Sequence, residues 1–167
     1  MTNSSSGSSI SLRVPSPLDR DAIFDLLVAT EVFRPEEIEV ALEVFDGCID
    51  GNGYLGAVAV VSAKVVGIAL FGPSPMTEGT FDLYWLASLP EAHGGGAARA
   101  LLSRVVEDVK TRGGRLLLVE TESTPGYARA RRFYEREGLI EIARIEGYYR
   151  PGADKVIGAM DLSGDRR

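Results

Sequence analysis

The stretch Tyr84–Ala98 reads YWLASLPEAHGGGAA, and a helical run from Arg99 to Thr111 follows it. This pattern predicts a β-strand that ends at Pro90, then a glycine turn, then the start of a helix. The first backbone N–H groups of a helix have no intrahelical partner, and the helix dipole favours an anion beside them. Glycines let a ligand approach the main chain closely, so the stretch predicts a phosphate site, the alternative being a connection without ligand.

Length and composition indicate one globular domain. The chain has 167 residues, of which 45% are hydrophobic and 25% charged, and we expect a domain over residues 10–162 between a disordered serine-rich tail (1–9) and a C-terminal tail (163–167). A net charge of −6 argues against nucleic acid and fits a cationic substrate better. Cys48 is the only cysteine, so we expect neither an intrachain disulfide nor a metal site. We also expect a cytoplasmic setting. No apolar run predicts a membrane segment.

Hydrophobic periodicity predicts the element order β-α-α-β-β-β-α-β-α-β-β. The first helix is expected to start at Ser16 and Pro17, the last at Thr124 and Pro125. Residues 81–88 should alternate between two faces, and the apolar run 115–122 should lie parallel to them. The predicted strands are 10–14, 54–61, 65–71, 81–88, 115–122, 139–148 and 155–162.

Two segments resemble the Gcn5-related N-acetyltransferase family. The family's Gln/Arg-x-x-Gly-x-Gly/Ala pattern is matched by His93-x-x-Gly96-x-Ala98, with His93 in the place of the usual Gln or Arg. The segment Ala130–Leu139 reads ARRFYEREGL and is similar to the family's Ala-x-x-Phe-Tyr-x-x-x-Gly-Phe. The element order resembles that of the family over residues 10–162.

The resemblance implies an α/β (α+β) fold: a single-domain acyl-CoA N-acyltransferase with a mixed central sheet and helices on both faces. It implies that the fourth and fifth strands splay apart and hold acetyl-CoA, the acyl-donor substrate, in the gap. The main chain of Leu86, Ala87 and Ser88 would then pair with pantetheine. The pyrophosphate would lie on His93, Gly94, Gly95, Gly96, Ala97, Ala98 and Arg99.

The resemblance also implies direct attack of an amine on the thioester. An alkyl ammonium with a pKa of about 10.4 is neutral in roughly one molecule in 2,500 at pH 7, so a group must accept its proton. Tyr134 matches the family's helix tyrosine that donates to the coenzyme sulfur. The alternative for Tyr134 is packing between helix and sheet.

Carboxylates are the candidates for the base. Asp82 lies three residues before Trp85, where some members of the family carry a glutamate that acts through water. Glu120 and Glu122 at the end of the next strand are rivals, as is Glu31 between the first two helices. The alternative for each is a solvated surface group, and His93 is expected to begin a helix rather than to catalyse.

The resulting prediction is an enzyme that transfers acetyl from acetyl-CoA to a primary amine of a small molecule or peptide. One alternative is a non-catalytic acyl-CoA sensor with the same fold. A dinucleotide-binding protein is another, although the full Gly-x-Gly-x-x-Gly spacing and its acidic strand end are missing. The expected partner is an amine substrate, and neither nucleic acid nor a membrane is expected to bind. A homodimer is one option for the assembly.

Overall fold

The computed structural model describes residues 9–164, so most of the predicted N-terminal tail and residues 165–167 lie outside the described part. The predicted element order is confirmed. The helices are α1 (Arg20–Ala29), α2 (Pro35–Ile49), α3 (Ala97–Thr111) and α4 (Ala128–Arg136). The strands are β1 (Ser11–Arg13), β2 (Leu55–Val61), β3 (Lys64–Pro73), β4 (Thr80–Ser88), β5 (Leu116–Glu122), β6 (Ile140–Arg150) and β7 (Ala153–Asp161). None of the helices within residues 9–164 has the length and apolarity that crossing a membrane requires.

One mixed seven-stranded sheet organises the chain in the order β1-β2-β3-β4-β5-β7-β6. All neighbours are antiparallel except β4 and β5, which are parallel as predicted. The last strand inserts between β5 and β6, so β6 forms one edge of the sheet. The parallel pair therefore lies in the middle of an otherwise antiparallel sheet, which is the expected mixed architecture.

Helices cover both faces of the sheet, as two glycines show. A Cβ on Gly56 would lie 3.2 Å from Sγ of Cys48 in α2, whereas a Cβ on Gly67 would lie 2.8 Å from Leu101 in α3. Gly56 pairs with Leu70, three residues from Gly67 along β3, and side chains an odd number of residues apart point to opposite faces. Hence α2 and α3 pack on opposite faces, and the α3 side needs glycine for its close approach.

The first helix begins later than the sequence predicts. Pro17–Asp19 form a short 3₁₀ turn, and α1 begins at Arg20. The buried Asp19 carboxylate accepts two bonds of 2.7 Å from the guanidinium of Arg13 and one of 2.7 Å from the Ser16 amide. The acid three residues after Ser16 thus closes a capping box on the 3₁₀ turn and links that turn to β1, and Asp19 is the N-cap of α1 without a side-chain cap bond to that helix.

Candidate active site

Strands β4 and β5 part after a short ladder. Only four pairs join them, from Thr80 with Leu116 to Leu83 with Val119. Beyond Leu83, β4 continues to Ser88 with ladder partners on β3 alone. One backbone edge of β4 is therefore open over the part that contains Leu86, Ala87 and Ser88, the residues expected to pair with pantetheine.

A β-bulge lies where the strands part. Leu70 of β3 pairs with Trp85, and the next residue, Phe71, pairs with Leu83, which leaves Tyr84 as an extra residue in β4. A bulge bends its strand and interrupts the side-chain alternation. The unbroken alternation predicted for 81–88 is therefore wrong, and the bend separates the end of β4 from β5.

The glycine turn presents free backbone amides, as the sequence predicts. Gly96 has a φ of 86° and is the N-cap of α3. The first backbone bond of the helix runs from the Ala100 amide to the Gly96 carbonyl at 2.9 Å, and within residues 9–164 the amides of Gly96, Ala97, Ala98 and Arg99 have no acceptor. Gly95 differs, since its amide donates to the Ala92 carbonyl at 3.1 Å. The turn can thus bind an anion through four consecutive amides.

The side chains of this turn add little to its structure. His93 and the three glycines Gly94, Gly95 and Gly96 are exposed. The exposed guanidinium of Arg99 forms an ion pair of 2.8 Å with Glu137. The chemistry available here is that of the backbone.

A cleft of about 350 Å³ opens between the separated strands. It is acidic and aromatic: its wall carries the carboxylates of Glu37, Asp82, Glu120 and Glu122. The aromatic side chains of the wall are Phe33, Tyr84, Trp85, Tyr127 and Tyr149. We call this the acidic cleft. Carboxylates and aromatic faces are the groups that attract an ammonium ion.

The carboxylates of the acidic cleft differ in their partners. Glu120 forms an ion pair of 2.6 Å with Lys155, and Glu122 one of 2.7 Å with Arg150. Burial raises the pKa of Glu122, but bonds from the Thr124 hydroxyl and from Arg150 outweigh it and hold that pKa below its usual value.

Asp82 and Glu37 complete the set. Asp82 accepts a short hydrogen bond from the Ser74 hydroxyl and has no cationic partner among the described residues. Glu37 pairs with Arg34 at 3.3 Å and accepts a 3.4 Å bond from the Tyr127 hydroxyl. Burial, followed by the charge of Glu37, raises the pKa of Tyr127 and keeps the phenol protonated. Asp82 is therefore the half-buried carboxylate of this cleft without a compensating cation.

Tyr134 lies behind a second cleft of about 510 Å³, between α4 and strands β5 to β7. Its side chain is buried, and its ring lies edge-on to Phe133 at 5.4 Å between centroids. The hydroxyl has no hydrogen-bond partner among residues 9–164, and burial raises the pKa of Tyr134. Thr121 lines both clefts, so the two clefts adjoin at this residue.

The sequence predicted some of the residues that line the acidic cleft. It gave Asp82, Glu120 and Glu122, and all three line the acidic cleft. Glu31, the rival from the helix link, is exposed and does not line it. Glu37 and Tyr127 also line the cleft, and the sequence analysis does not name them as site residues. The acidic pair Glu36–Glu37 was the available signal.

Two of three comparisons with known proteins found matches. The model of the acetyltransferase (GNAT) family matches residues 20–139. A solved structure from Desulfovibrio desulfuricans, described as an acetyltransferase of the GNAT family, is 40% identical with a TM-score of 0.87, and the match covers 92% of this chain and 99% of that one. The search of curated proteins found no match.

Two more distant structures share the fold. The ribosomal-protein-S18-alanine N-acetyltransferase of Escherichia coli is 20% identical with a TM-score of 0.76, over 95% of this chain and 97% of that one. A protein of Salmonella typhimurium, described as an acetyltransferase and solved with acetyl-CoA, is 19% identical with a TM-score of 0.74, over 95% and 96% of the two chains.

Proposed function

The chain belongs to the acetyltransferase (GNAT) family, and from this we propose that it transfers acetyl from acetyl-CoA to a cationic primary amine of a small molecule or peptide. The observation that carries the proposal is the open edge of β4, which leads from the acidic cleft to the free amides at the start of α3. A donor site and an acceptor site are thus joined by one strand.

The donor end fits acetyl-CoA. The open edge at Leu86, Ala87 and Ser88 offers main-chain donors and acceptors to an extended pantetheine. The amides of Gly96, Ala97, Ala98 and Arg99 suit the pyrophosphate. Bound there, acetyl-CoA supplies an acetyl group activated as a thioester. The similar Salmonella protein was solved with this molecule.

The acceptor end fits a cation. Four carboxylates line the acidic cleft, and three of them have a basic partner: Lys155 for Glu120, Arg150 for Glu122, and Arg34, the N-cap of α2, for Glu37. The aromatic wall adds cation–π attraction, worth about 0.5–2 kcal/mol per contact. The chain's net charge of −6 favours the approach of a cationic substrate.

Asp82 is the proposed base. Deprotonating an ammonium of pKa about 10.4 at pH 7 costs about 4.6 kcal/mol, and the carboxylate accepts that proton directly or through water. The Ser74 hydroxyl orients the Asp82 side chain by donating to Oδ2. Glu120 is the rival, but a proton on Glu120 would leave the ammonium of Lys155 without its counter-ion. Asp82 carries no such cost.

Tyr134 is the proposed acid. Its buried phenol stays protonated because burial raises its pKa, and its hydroxyl has no protein acceptor among the described residues. It is therefore free to donate a proton to a leaving thiolate sulfur. The competing role, packing of α4 on the sheet, uses the ring and not the hydroxyl.

The experiment is a screen of the full chain with acetyl-CoA and a panel of amines, with released coenzyme A measured as free thiol. Diamines, amino sugars and lysine peptides form the panel, and their N,N-dimethyl analogues are the matched controls. We expect release with primary amines only. Thermal stabilisation by acetyl-CoA without release from any amine would instead identify a sensor, and stabilisation by NAD alone would contradict the proposal.

A further inference from the structure

Strand β6 is an exposed apolar edge. All eleven residues of Ile140–Arg150 are exposed, whereas the neighbouring β7 carries buried residues. Five large apolar side chains lie on β6, with exposed fractions of 36–67%: Ile140, Ile142, Ile145, Tyr148 and Tyr149. Long apolar edge strands present unpaired backbone groups and promote aggregation, so natural proteins cover them. This edge is available for pairing with another strand.

The sequence of β6 is complementary to itself. Its midpoint is Ile145, because Ile140 and Arg150 lie five residues away on either side. If two copies pair antiparallel about this midpoint, Ile145 faces Ile145, and Arg144 of each copy faces Glu146 of the other. Opposite charges directly across a pair of strands stabilise the pairing, and like charges destabilise it.

We propose that β6 is the interface of a homodimer in which the two strands pair antiparallel about Ile145. A twofold axis demands that one surface complement itself, and Arg144 and Glu146, the two charges that flank Ile145, do so about the strand's own centre. An unrelated peptide would not require this symmetry. The pairing would join the two seven-stranded sheets and cover the edge on both copies.

The contacts within one chain permit this pairing. Glu146 has no ion-pair partner among the described residues. Arg144 bonds Glu141 and Asp154 of its own chain, but its side chain remains 40% exposed, so one guanidinium can also reach across the axis. The segment between Ile145 and Arg150 has no regular pairs with β7, and the Gly147 amide donates to the Asp154 side chain instead.

The interface also lies next to the acidic cleft. Tyr149 lines that cleft, and Arg150 bonds Glu122 inside it. A second β6 would supply backbone partners to this poorly paired segment and so hold both residues in place. This consequence rests on the proposed function, whereas the interface itself does not.

The first test is sedimentation equilibrium of the full chain at micromolar concentration. We expect a mass of twice 18.0 kDa for the wild type and the monomer mass for Ile145→Asp, which places two carboxylates together on the axis. Val40→Asp is the matched control, because Val40 is 47% exposed on α2, away from β6, and it should remain dimeric. A monomeric wild type, or a dimer that survives Ile145→Asp, overturns the proposal.

A charge exchange tests the register. Arg144→Glu and Glu146→Arg should each weaken the dimer at least tenfold, and the double variant should restore it. The double variant cannot rebuild the bonds from Arg144 to Glu141 and Asp154, so restoration must come from pairing between chains. Additive weakening in the double variant would contradict the pairing about Ile145.

Discussion

Leu83 and Val119 form the last pair between β4 and β5, and the acidic cleft lies at this end of the ladder, where its wall includes the paired residues Asp82 and Leu118. Tyr84 is the bulged residue that follows Leu83, while Glu120 follows Val119. Because the strands stop pairing at this level, the residues after it face a gap and not a ladder. The geometry of the site begins at this pair.

Asp82→Asn should lower kcat/KM about a hundredfold near neutral pH, since general-base catalysis contributes about 10²–10⁴. The acid limb of the pH profile of kcat/KM should flatten, because the variant has no carboxylate at this position to accept the proton of the amine. Glu120→Gln is the control, a neutral change in the same cleft, and should keep the limb. A wild-type profile in Asp82→Asn would assign the base elsewhere.

Tyr134→Phe should lower kcat about tenfold to a hundredfold with little change in the KM for acetyl-CoA. The melting temperature should change little, because the lost hydroxyl has no partner among the described residues. Tyr127→Phe removes a hydroxyl from the acidic cleft instead and should raise the KM of the amine. Unchanged kcat in Tyr134→Phe would leave this tyrosine with packing alone.

Gly96→Ala should raise the KM for acetyl-CoA severalfold and cost about 1–2 kcal/mol of unfolding free energy, because its φ of 86° is strained for a residue with a Cβ. Gly152→Ala is the matched control. Gly152 has a φ of 79° with open space around it, in the turn between β6 and β7, so the strain is similar. Equal effects on KM in the two variants would show that the turn acts only through stability.

Asp19→Asn should cost about 1.5–3 kcal/mol at pH 7, the range for hydrogen bonds to a charged group. The Arg13 guanidinium holds the pKa of Asp19 below its usual value. A depressed pKa stabilises the fold above the unfolded value of about 3.9, and this contribution is lost as the pH falls toward the folded pKa. Urea unfolding at pH 7 and at pH 3 should therefore give a smaller gap between variant and wild type at pH 3. A gap that does not narrow would contradict the role of the Asp19 charge.

Local patterns in the sequence determined the order of the elements, the parallel β4–β5 pair and the glycine turn. Each depends on periodicity or on residues with a specific backbone preference, which act over a few positions. The position of Glu120 followed as well, because it lies near the end of a predicted strand, whereas Asp82 was named from the family resemblance. The place of Glu37 in the acidic cleft could not be predicted from the sequence, because its helix reaches the cleft only in the folded chain.

Only the tertiary structure decided the bulge at Tyr84, the insertion of β7 between β5 and β6, and the ion pairs that distinguish Asp82 from Glu120. Strand pairing and ion pairs join residues far apart in the chain, so no local pattern encodes them. Lys155 meets Glu120 because β7 pairs with β5. The sequence by itself determined the glycine turn and helix start within Tyr84–Ala98, and long-range packing decided that Glu120 has a cationic partner whereas Asp82 has none among the described residues.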